Sequence, residues 1–151
     1  MEIKDIKAIY FVGAGGIGMS ALARYFLHKG ICAAGYDKVP TPLTQQLEKE
    51  GMHIHYEESV EAIPAPCKDS ETCLVVYTPA IPKNHQELVF FRNNGFTIEK
   101  RAQVLGTLTR THKGLCVAGT HGKTTTSTMC AHILHQSHLD CNAFLGGISK
   151  N

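Results

Sequence analysis

The residues best suited to chemistry in this chain form a glycine-rich segment that ends in Gly-Lys-Thr. The segment runs from Gly119 to Thr126 and directly follows the apolar run Leu115 to Ala118. A polyphosphate needs several backbone N–H groups that point into one concavity, and glycine lets the backbone approach closely. In such a loop Lys123 would reach the terminal phosphates, and the Thr124 hydroxyl would face a magnesium ion. The pattern predicts a phosphate-binding loop between a strand and a helix.

A second glycine-rich loop lies near the start of the chain. The apolar run Ile6 to Val12 predicts a buried strand, and Gly13, Gly15 and Gly18 follow it. This spacing matches the dinucleotide-binding fingerprint, in which a loop approaches a pyrophosphate at the start of a helix. A second predicted strand leads to Asp37, and an acidic residue at that place usually accepts hydrogen bonds from a ribose. Taken alone, this half of the chain predicts an NAD-binding domain.

Strand and helix patterns alternate along the first 110 residues, which predicts an α/β, Rossmann-like parallel sheet with helices on both faces. The predicted strands are 6–12, 31–36, 53–56, 73–77 and 96–99. The predicted helices are 17–29, 43–50, 86–94 and 102–111. A strand at 115–118, a helix at 127–136 and a strand at 142–145 would begin a second domain. We therefore expect a sheet domain over residues 1–110 and the start of an ATP-binding domain over 111–151, too short to close its own core.

The two glycine loops are more specific together than either is alone. A hydride-transfer enzyme has no need of a second, ATP-type loop, whereas an ATP-dependent enzyme with a nucleotide-linked substrate needs two phosphate cradles. The sequence Gly-Thr-His-Gly-Lys-Thr-Thr at 119–125 resembles the ATP loop of the Mur ligases, which build the peptide stem of bacterial peptidoglycan. Gly-Gly-Ile-Gly-Met-Ser-Ala at 15–21 is similar to the alanine-adding branch of that family. The resemblance covers nearly all of the chain and implies a piece of a longer protein.

The resemblance implies an activity and a set of contact residues. ATP would phosphorylate the lactyl carboxylate of UDP-N-acetylmuramate, and the amino group of L-alanine would attack the resulting acyl phosphate. Lys123 and Thr124 would be catalytic, and Thr124 would also bind Mg²⁺. The ATP contacts would be Gly119, Thr120, His121, Gly122, Lys123, Thr124 and Thr125. The UDP-sugar contacts would be Gly15, Gly16, Ile17, Gly18, Met19, Ser20, Asp37, Thr78 and Arg101.

One departure from the family and three other functions also follow from the sequence. Many Mur ligases carry a histidine after the third strand, where this chain has Glu57 and Glu58, so a nucleotide contact there does not carry over. The first alternative is the recycling ligase that joins UDP-N-acetylmuramate to a preformed tripeptide. The second is a module that binds a UDP-sugar without catalysis. The third is an NAD-binding oxidoreductase domain.

Composition places the chain among cytoplasmic proteins. A net charge of +2 with scattered basic residues gives no nucleic-acid surface, and no apolar run is long enough to span a membrane. The N-terminus lacks the regions of a signal peptide. The six cysteines form no Cys-x-x-Cys pair, which favours reduced, packed thiols. His132, His135 and His138 drift around their helix and are interpreted as surface residues rather than metal ligands. The oligomeric state does not follow from the sequence.

Overall fold

The computed structural model describes residues 3–139 and 141–147. It contains a five-stranded parallel sheet with strand order β3-β2-β1-β4-β5. The strands are β1 (Ala8–Val12), β2 (Cys32–Tyr36), β3 (His53–His55), β4 (Cys73–Tyr77) and β5 (Thr97–Lys100). The helices are α1 (Ile17–His28), α2 (Pro42–Lys49), α3 (Gln86–Asn93), α4 (Arg101–Thr111) and α5 (Lys123–Gln136). This arrangement confirms the predicted Rossmann-like fold.

The central strand β1 is buried along its whole length, which explains why its sequence is apolar without alternation. Its residues divide between two cores because successive side chains point to opposite faces of a sheet. Ile9 and Phe11 belong to the core that also contains residues of α1, α2 and α4. Tyr10 and Val12 belong to the other core, which contains Phe91 of α3. Helices therefore cover both faces, as the sequence predicts.

The strand order creates one point where the direction of the chain connections reverses. From β1 the chain builds outward through β2 to β3, then crosses to β4 on the other side of β1. In open α/β sheets, ligands bind outside the carboxyl ends of the strands at such a switch point. Val12 of β1 and Tyr77 of β4 are register partners there. The loops that follow β1 and β4 are therefore expected to form a ligand-binding site.

The chain beyond α4 differs from prediction. The sequence predicts strands at 115–118 and 142–145, and both predictions are wrong because neither segment forms a strand. A strand needs a neighbour to complete its hydrogen bonds, and all five strands of the described residues belong to the first sheet. Leu115 is consequently 75% exposed. Helix α5 begins at Lys123, four residues before the predicted start, and none of its residues is buried.

Several expectations about thiols, histidines and membranes can be compared with the structure. All six cysteines are free thiols, and Cys67 and Cys73 are buried in the core. His132, His135 and His138 are exposed. Within the described ranges, no group of His, Cys, Asp or Glu side chains has the arrangement of a metal site. In the same ranges, no helix has both the length and the apolar character needed to cross a bilayer.

Candidate functional site

The first glycine loop is fixed at the carboxyl end of β1, directly at the switch point. The backbone N–H groups of Gly13 and Ala14 both donate to the carbonyl oxygen of Tyr36, at 2.8 and 2.9 Å. Gly13 has φ +93°, and a Cβ atom there would lie 2.5 Å from Cγ2 of Thr78 in the loop after β4. A side chain at this position would therefore be strained and would collide with Thr78. The glycine allows the two loops to meet.

Asp37, directly after β2, is hydrogen-bonded to the same glycine loop. Its Oδ2 accepts a 2.6 Å hydrogen bond from the backbone N–H of Gly15, and its Oδ1 lies 3.4 Å from the N–H of Val39. The carboxylate thus fixes the loop as well as lying where the fingerprint predicts a ribose contact. The ribose contact itself stays a prediction.

Arg101 reaches the glycine loop from the opposite side of the switch point. It is the first residue of α4, directly after β5. A Cβ atom on Gly18 would lie 2.7 Å from Nη1 and 2.8 Å from Cζ of Arg101. The guanidinium therefore lies against the start of α1, where the first N–H groups of a helix have no partner within the helix. A cation beside free N–H donors is an arrangement suited to a diphosphate.

The start of α1, Thr78 and Arg101 line one cleft of about 410 Å³, whereas Gly15 and Asp37 do not line it. Its predicted members are Gly16, Ile17, Gly18, Met19, Thr78 and Arg101. Ser20 lies outside this cleft, and its hydroxyl donates to the carbonyl oxygen of Ile17 at 2.8 Å, an ordinary helix contact. Both Met19 and Ser20 are buried. The structure therefore gathers the glycine loop, Thr78 and Arg101, and gives Ser20 a role in helix packing.

The second glycine loop curls around the ammonium group of its own lysine. Lys123 Nζ donates to the carbonyl oxygens of Gly119 at 2.6 Å and Thr120 at 3.2 Å. Gly122, which precedes α5, has φ +75°, a conformation that favours glycine. The loop thus has the tight turn, the helix start and the cation that a phosphate cradle requires, and its residues fit ATP. Thr120, His121 and Thr125 are exposed around it.

A segment that sequence reasoning missed connects the two loops. Phe144 and Gly146 line the 410 Å³ cleft beside Arg101, and the Phe144 ring lies 6.0 Å from that of Tyr25 in α1. A Cβ atom on Gly146 would approach the Thr124 hydroxyl oxygen to 3.4 Å. The chain after α5 therefore contacts both loops. In the sequence, the Gly146-Gly147 pair could have indicated this contact, because paired glycines mark turns in which the backbone can approach another segment closely.

A buried polar chain lies on the α3 side of the sheet and was also missed. The Tyr10 hydroxyl lies 2.7 Å from Oε2 of Glu87 and 2.7 Å from Nε2 of His55. His55 Nδ1 lies 2.8 Å from the carbonyl oxygen of Glu57, and Glu87 Oε1 accepts from the N–H of Ser59 at 3.2 Å. No pattern in the sequence predicts that Glu87 is buried, because acidic residues are common in the first turn of a helix.

Burial disfavours the charged forms of Glu87 and His55. Desolvation raises the pKa of Glu87 to about 7, and it lowers the pKa of His55. The Tyr10 hydroxyl donates to Oε2 of Glu87 and lies within hydrogen-bond distance of His55 Nε2, and His55 Nδ1 lies within hydrogen-bond distance of the carbonyl oxygen of Glu57. Each of these polar groups therefore has a hydrogen-bond partner, as buried polar groups require. These hydrogen bonds therefore join the centre of β1 to β3 and to α3.

The fold and the paired loops define a class of protein. The model of the Mur ligase family catalytic domain matches residues 8–113, which is most of the chain. This chain belongs to the Mur ligase family.

Two relatives show which branch of the family this chain resembles. The chain is 65% identical, over its whole length, to UDP-N-acetylmuramate--L-alanine ligase of Phocaeicola vulgatus, and covers 33% of that protein. It is similar to the crystal structure of UDP-N-acetylmuramate-alanine ligase MurC from Thermotoga maritima, with a TM-score of 0.82 and 38% identity. That match covers 94% of this chain and 32% of the other. The chain thus spans about a third of the length of the relatives it matches.

A third comparison concerns another branch of the family. The crystal structure of UDP-N-acetylmuramate:L-alanyl-gamma-D-glutamyl-meso-diaminopimelate ligase (MPL) from Neisseria meningitides matches with a TM-score of 0.79 and 28% identity. It covers 97% of this chain and 44% of the other. The two branches therefore share the fold of this chain, and sequence identity is higher on the alanine ligase side.

Proposed function

We propose that this chain is the UDP-sugar-binding part, with the start of the ATP-binding part, of a ligase that joins L-alanine to UDP-N-acetylmuramate. This reaction belongs to peptidoglycan precursor synthesis, which takes place in the cytoplasm. The observation that carries the proposal is the meeting of the first glycine loop with Thr78 and Arg101 at the switch point. A separate Gly-Lys-Thr loop supports the ATP-dependent step. The 65% identity to an alanine ligase supports L-alanine as the amino acid.

The first loop would bind the diphosphate of the UDP-sugar. The N–H groups of Ile17 and Gly18 lie at the start of α1, where they can donate to phosphate oxygens. Arg101 would neutralise the phosphate charge, and charge-assisted hydrogen bonds of this kind are roughly twice as strong as neutral ones. Asp37 would hold the loop through Gly15 and contact the ribose. Binding of the UDP-sugar by the first glycine loop would therefore not require ATP.

The second loop would bind ATP and Mg²⁺. ATP supplies the phosphoryl group that turns a carboxylate, a poor electrophile, into an acyl phosphate with a good leaving group. The loop N–H groups from Gly119 to Gly122 would hold phosphate oxygens, and Lys123 would exchange its carbonyl partners for them. Thr124 would bind the metal. The work of the protein in such a transfer is positioning and charge neutralisation.

Two further points belong to the proposal. We place the boundary between the two parts near residue 110, at the end of α4. The recycling ligase is the second candidate, because the Neisseria structure has the same fold. Its 28% identity, against 38% and 65% for the alanine ligases, favours the alanine-adding reaction.

Turnover in a protein of the relatives' full length tests the proposal. Given UDP-N-acetylmuramate, ATP and Mg²⁺, that protein should release phosphate only when L-alanine is present, whereas a preformed tripeptide should be a poor replacement. Lys123→Ala should abolish phosphate release and leave UDP-sugar binding nearly intact, because the two loops are separate. Arg110→Ala, on the exposed end of α4, is a matched control and should turn over normally. Phosphate release that requires the tripeptide would contradict the alanine assignment.

A further inference from the structure

A buried threonine packs against the first glycine loop. Thr44, in the first turn of α2, has no exposed surface. A Cβ atom on Gly15 would lie 3.0 Å from Cγ2 of Thr44 and 2.9 Å from Oδ2 of Asp37. Gly15 is therefore packed against both side chains, and only a residue without a side chain leaves room for them. The methyl group of Thr44 thus limits where the loop can move.

The Thr44 hydroxyl has all of its hydrogen-bonding capacity in use. It accepts from the backbone N–H of Thr41 at 2.8 Å and from the Tyr56 hydroxyl at 3.0 Å. It donates to the carbonyl oxygen of Thr41, also at 3.0 Å. A threonine hydroxyl has one hydrogen and two lone pairs, so no capacity remains for a ligand. Any effect of Thr44 on ligand binding must therefore act through its neighbours.

Tyr56 connects Thr44 to the end of β3. It directly follows His55, the last residue of β3, and its ring packs against the core that contains residues of α1. Burial raises the pKa of Tyr56, and the nearby charges of Glu48 and Asp37 raise it further, so its hydroxyl stays protonated at neutral pH and can donate. The backbone N–H of Asp37 donates to the carbonyl oxygen of His55 at 3.1 Å. The end of β3 therefore holds Asp37 through its backbone and Thr44 through its side chain.

Asp37 has one carboxylate oxygen for the loop and one for a ligand. Its Oδ2 accepts the 2.6 Å hydrogen bond from the backbone N–H of Gly15. Among the described residues, its Oδ1 has only the 3.4 Å contact with the N–H of Val39, so it keeps accepting capacity. The bond through Oδ2 fixes the rotation of the carboxylate and thereby the direction in which Oδ1 points. A displacement of Gly15 would therefore move the group that is proposed to contact the ribose.

On the basis of the proposed function, we propose that Thr44 and Tyr56 are positioning residues for the ribose contact of Asp37. The Tyr56 hydroxyl holds Thr44 in one rotamer, and the Thr44 methyl group keeps Gly15 within hydrogen-bond distance of Asp37. The carboxylate then presents Oδ1 to a ribose hydroxyl. Neither positioning residue touches the nucleotide, so their loss changes the discrimination between sugars rather than the contacts to the diphosphate.

Calorimetric titration of the chain with UDP and with 2′-deoxyuridine diphosphate tests this inference. An acidic residue at this place in the fingerprint accepts from the ribose 2′-hydroxyl. The wild-type chain should therefore bind UDP about tenfold or more tightly than the deoxynucleotide, as expected for one charge-assisted hydrogen bond. Tyr56→Phe keeps the ring and removes only the hydroxyl. It should reduce this preference about threefold or more, because one of the bonds that hold Thr44 is lost.

Two further variants test the path from Tyr56 to Asp37. Thr44→Ser keeps the hydroxyl and removes the methyl group against Gly15, so it should also reduce the preference. Asp37→Ala should bring the two nucleotides to nearly equal affinity. Adding Tyr56→Phe to Asp37→Ala should then leave the ratio of the two affinities unchanged, because residues that act through one group are not additive.

Tyr10→Phe is the matched control for a loss of stability. It also removes a tyrosine hydroxyl, but Tyr10 belongs to the core on the other face of the sheet and bonds to Glu87. It should lower the temperature of unfolding at least as much as Tyr56→Phe does, and it should keep the wild-type preference for UDP. A purely structural role of Tyr56 would weaken both nucleotides equally, so the ratio of the two affinities is the deciding quantity.

Each adverse result has a distinct meaning. Full preference for UDP in either Tyr56→Phe or Thr44→Ser would overturn the inference and leave the proposed UDP-sugar site standing. Equal wild-type affinity for the two nucleotides would do the same, since there would be no ribose contact to position. A loss of preference in Tyr10→Phe would also overturn the inference, because the ratio would then follow stability. An absence of saturable UDP binding would overturn the proposed function itself, and the inference with it.

Discussion

Arg101 joins two elements that are distant in the chain. It follows β5, and its guanidinium lies within contact distance of Gly18 at the start of α1. The absence of a side chain on Gly18 is what leaves room for it. The glycine of the fingerprint thus has a second purpose in this chain, since it admits a cation to the cleft as well as allowing the backbone approach.

Arg101→Ala should weaken binding of UDP-N-acetylmuramate by about tenfold or more. The variant would remove the proposed charge-assisted contact to the diphosphate, and contacts of this kind typically contribute about 1.5–3 kcal/mol. Arg110→Ala is the matched control, because it removes the same charge at the far end of α4. Calorimetry at constant ionic strength provides the measurement. Equal affinities of the two variants would show that Arg101 does not contact the ligand.

At the scale of elements, α3 buries an ionisable side chain against the sheet. Glu87 lies in the first turn of α3, has no exposed surface, and bonds to Tyr10 at the centre of β1. His55, His85 and Glu58 face the same region from β3, the loop before α3 and the loop after β3. Burial raises the pKa of Glu87 and lowers those of both histidines. The stability of this layer should therefore depend on pH.

Glu87→Gln should change the pH dependence of unfolding in a defined direction. Between the ordinary pKa of 4.5 and about 7, the folded chain keeps a proton on Glu87 that the unfolded chain releases. The stability contribution of Glu87 is therefore present below pH 4.5 and is lost as the pH rises through 7. The variant, which cannot titrate, should gain about 3 kcal/mol in its free energy of unfolding relative to wild type between pH 4.5 and 8.

Urea unfolding at several pH values measures this difference. The lowered pKa values of His55 and His85 add stability as the pH rises in both proteins, so they oppose the effect of Glu87. His55 Nε2 lies 3.5 Å from Oε1 of Glu87, so the comparison measures the titration of Glu87 together with its effect on His55. A difference between wild type and variant that stays constant from pH 4.5 to 8 would show that Glu87 does not titrate in this range.

Helix α5 should be much less protected than α1. No residue of α5 is buried, and its Met129 and Ile133 are each 61% exposed, whereas α1 buries six residues. Most helix stability in proteins comes from packing of an apolar face. Hydrogen exchange should therefore be fast at the amides of 127–136 and slow at those of 21–28. Equal protection of the two helices would mean that α5 is stabilised by contacts that this structure does not contain.

The helices and strands of the first domain could be predicted closely from the sequence, because the apolar patterns and glycines that define them are local features of the chain. Four helices and five strands were predicted to within a few residues, and Gly30, Gly51 and Gly95 follow α1, α2 and α3 with positive φ. The strand at 115–118 was predicted wrongly, since strand formation depends on a partner that no local pattern reveals. Burial of Glu87 and the contact of Gly146 with Thr124 are tertiary features with no periodic signal.

At the scale of the whole molecule, the two glycine loops differ in how well the surrounding chain packs around them. The first loop, Thr78 and Arg101 belong to a sheet with two complete cores. The second loop and α5 stand outside those cores. A cradle whose donors are not fixed must be ordered by its ligand, which costs affinity. We therefore expect UDP-sugar binding to be intact in this chain, ATP binding to be weak, and ligase turnover to be absent.

Calorimetric titration of the chain with UDP-N-acetylmuramate, in the absence of ATP, tests whether the first glycine loop forms the UDP-sugar site. We expect saturable binding, a strong loss of affinity in Gly18→Val, and no response to NADH. The added valine would displace the Arg101 guanidinium from the start of α1 and obstruct the approach of a ligand to the loop. Gly106→Ala is the control, since a Cβ atom there meets nothing within 4 Å. Binding of NADH without any response to the UDP-sugar would contradict the account.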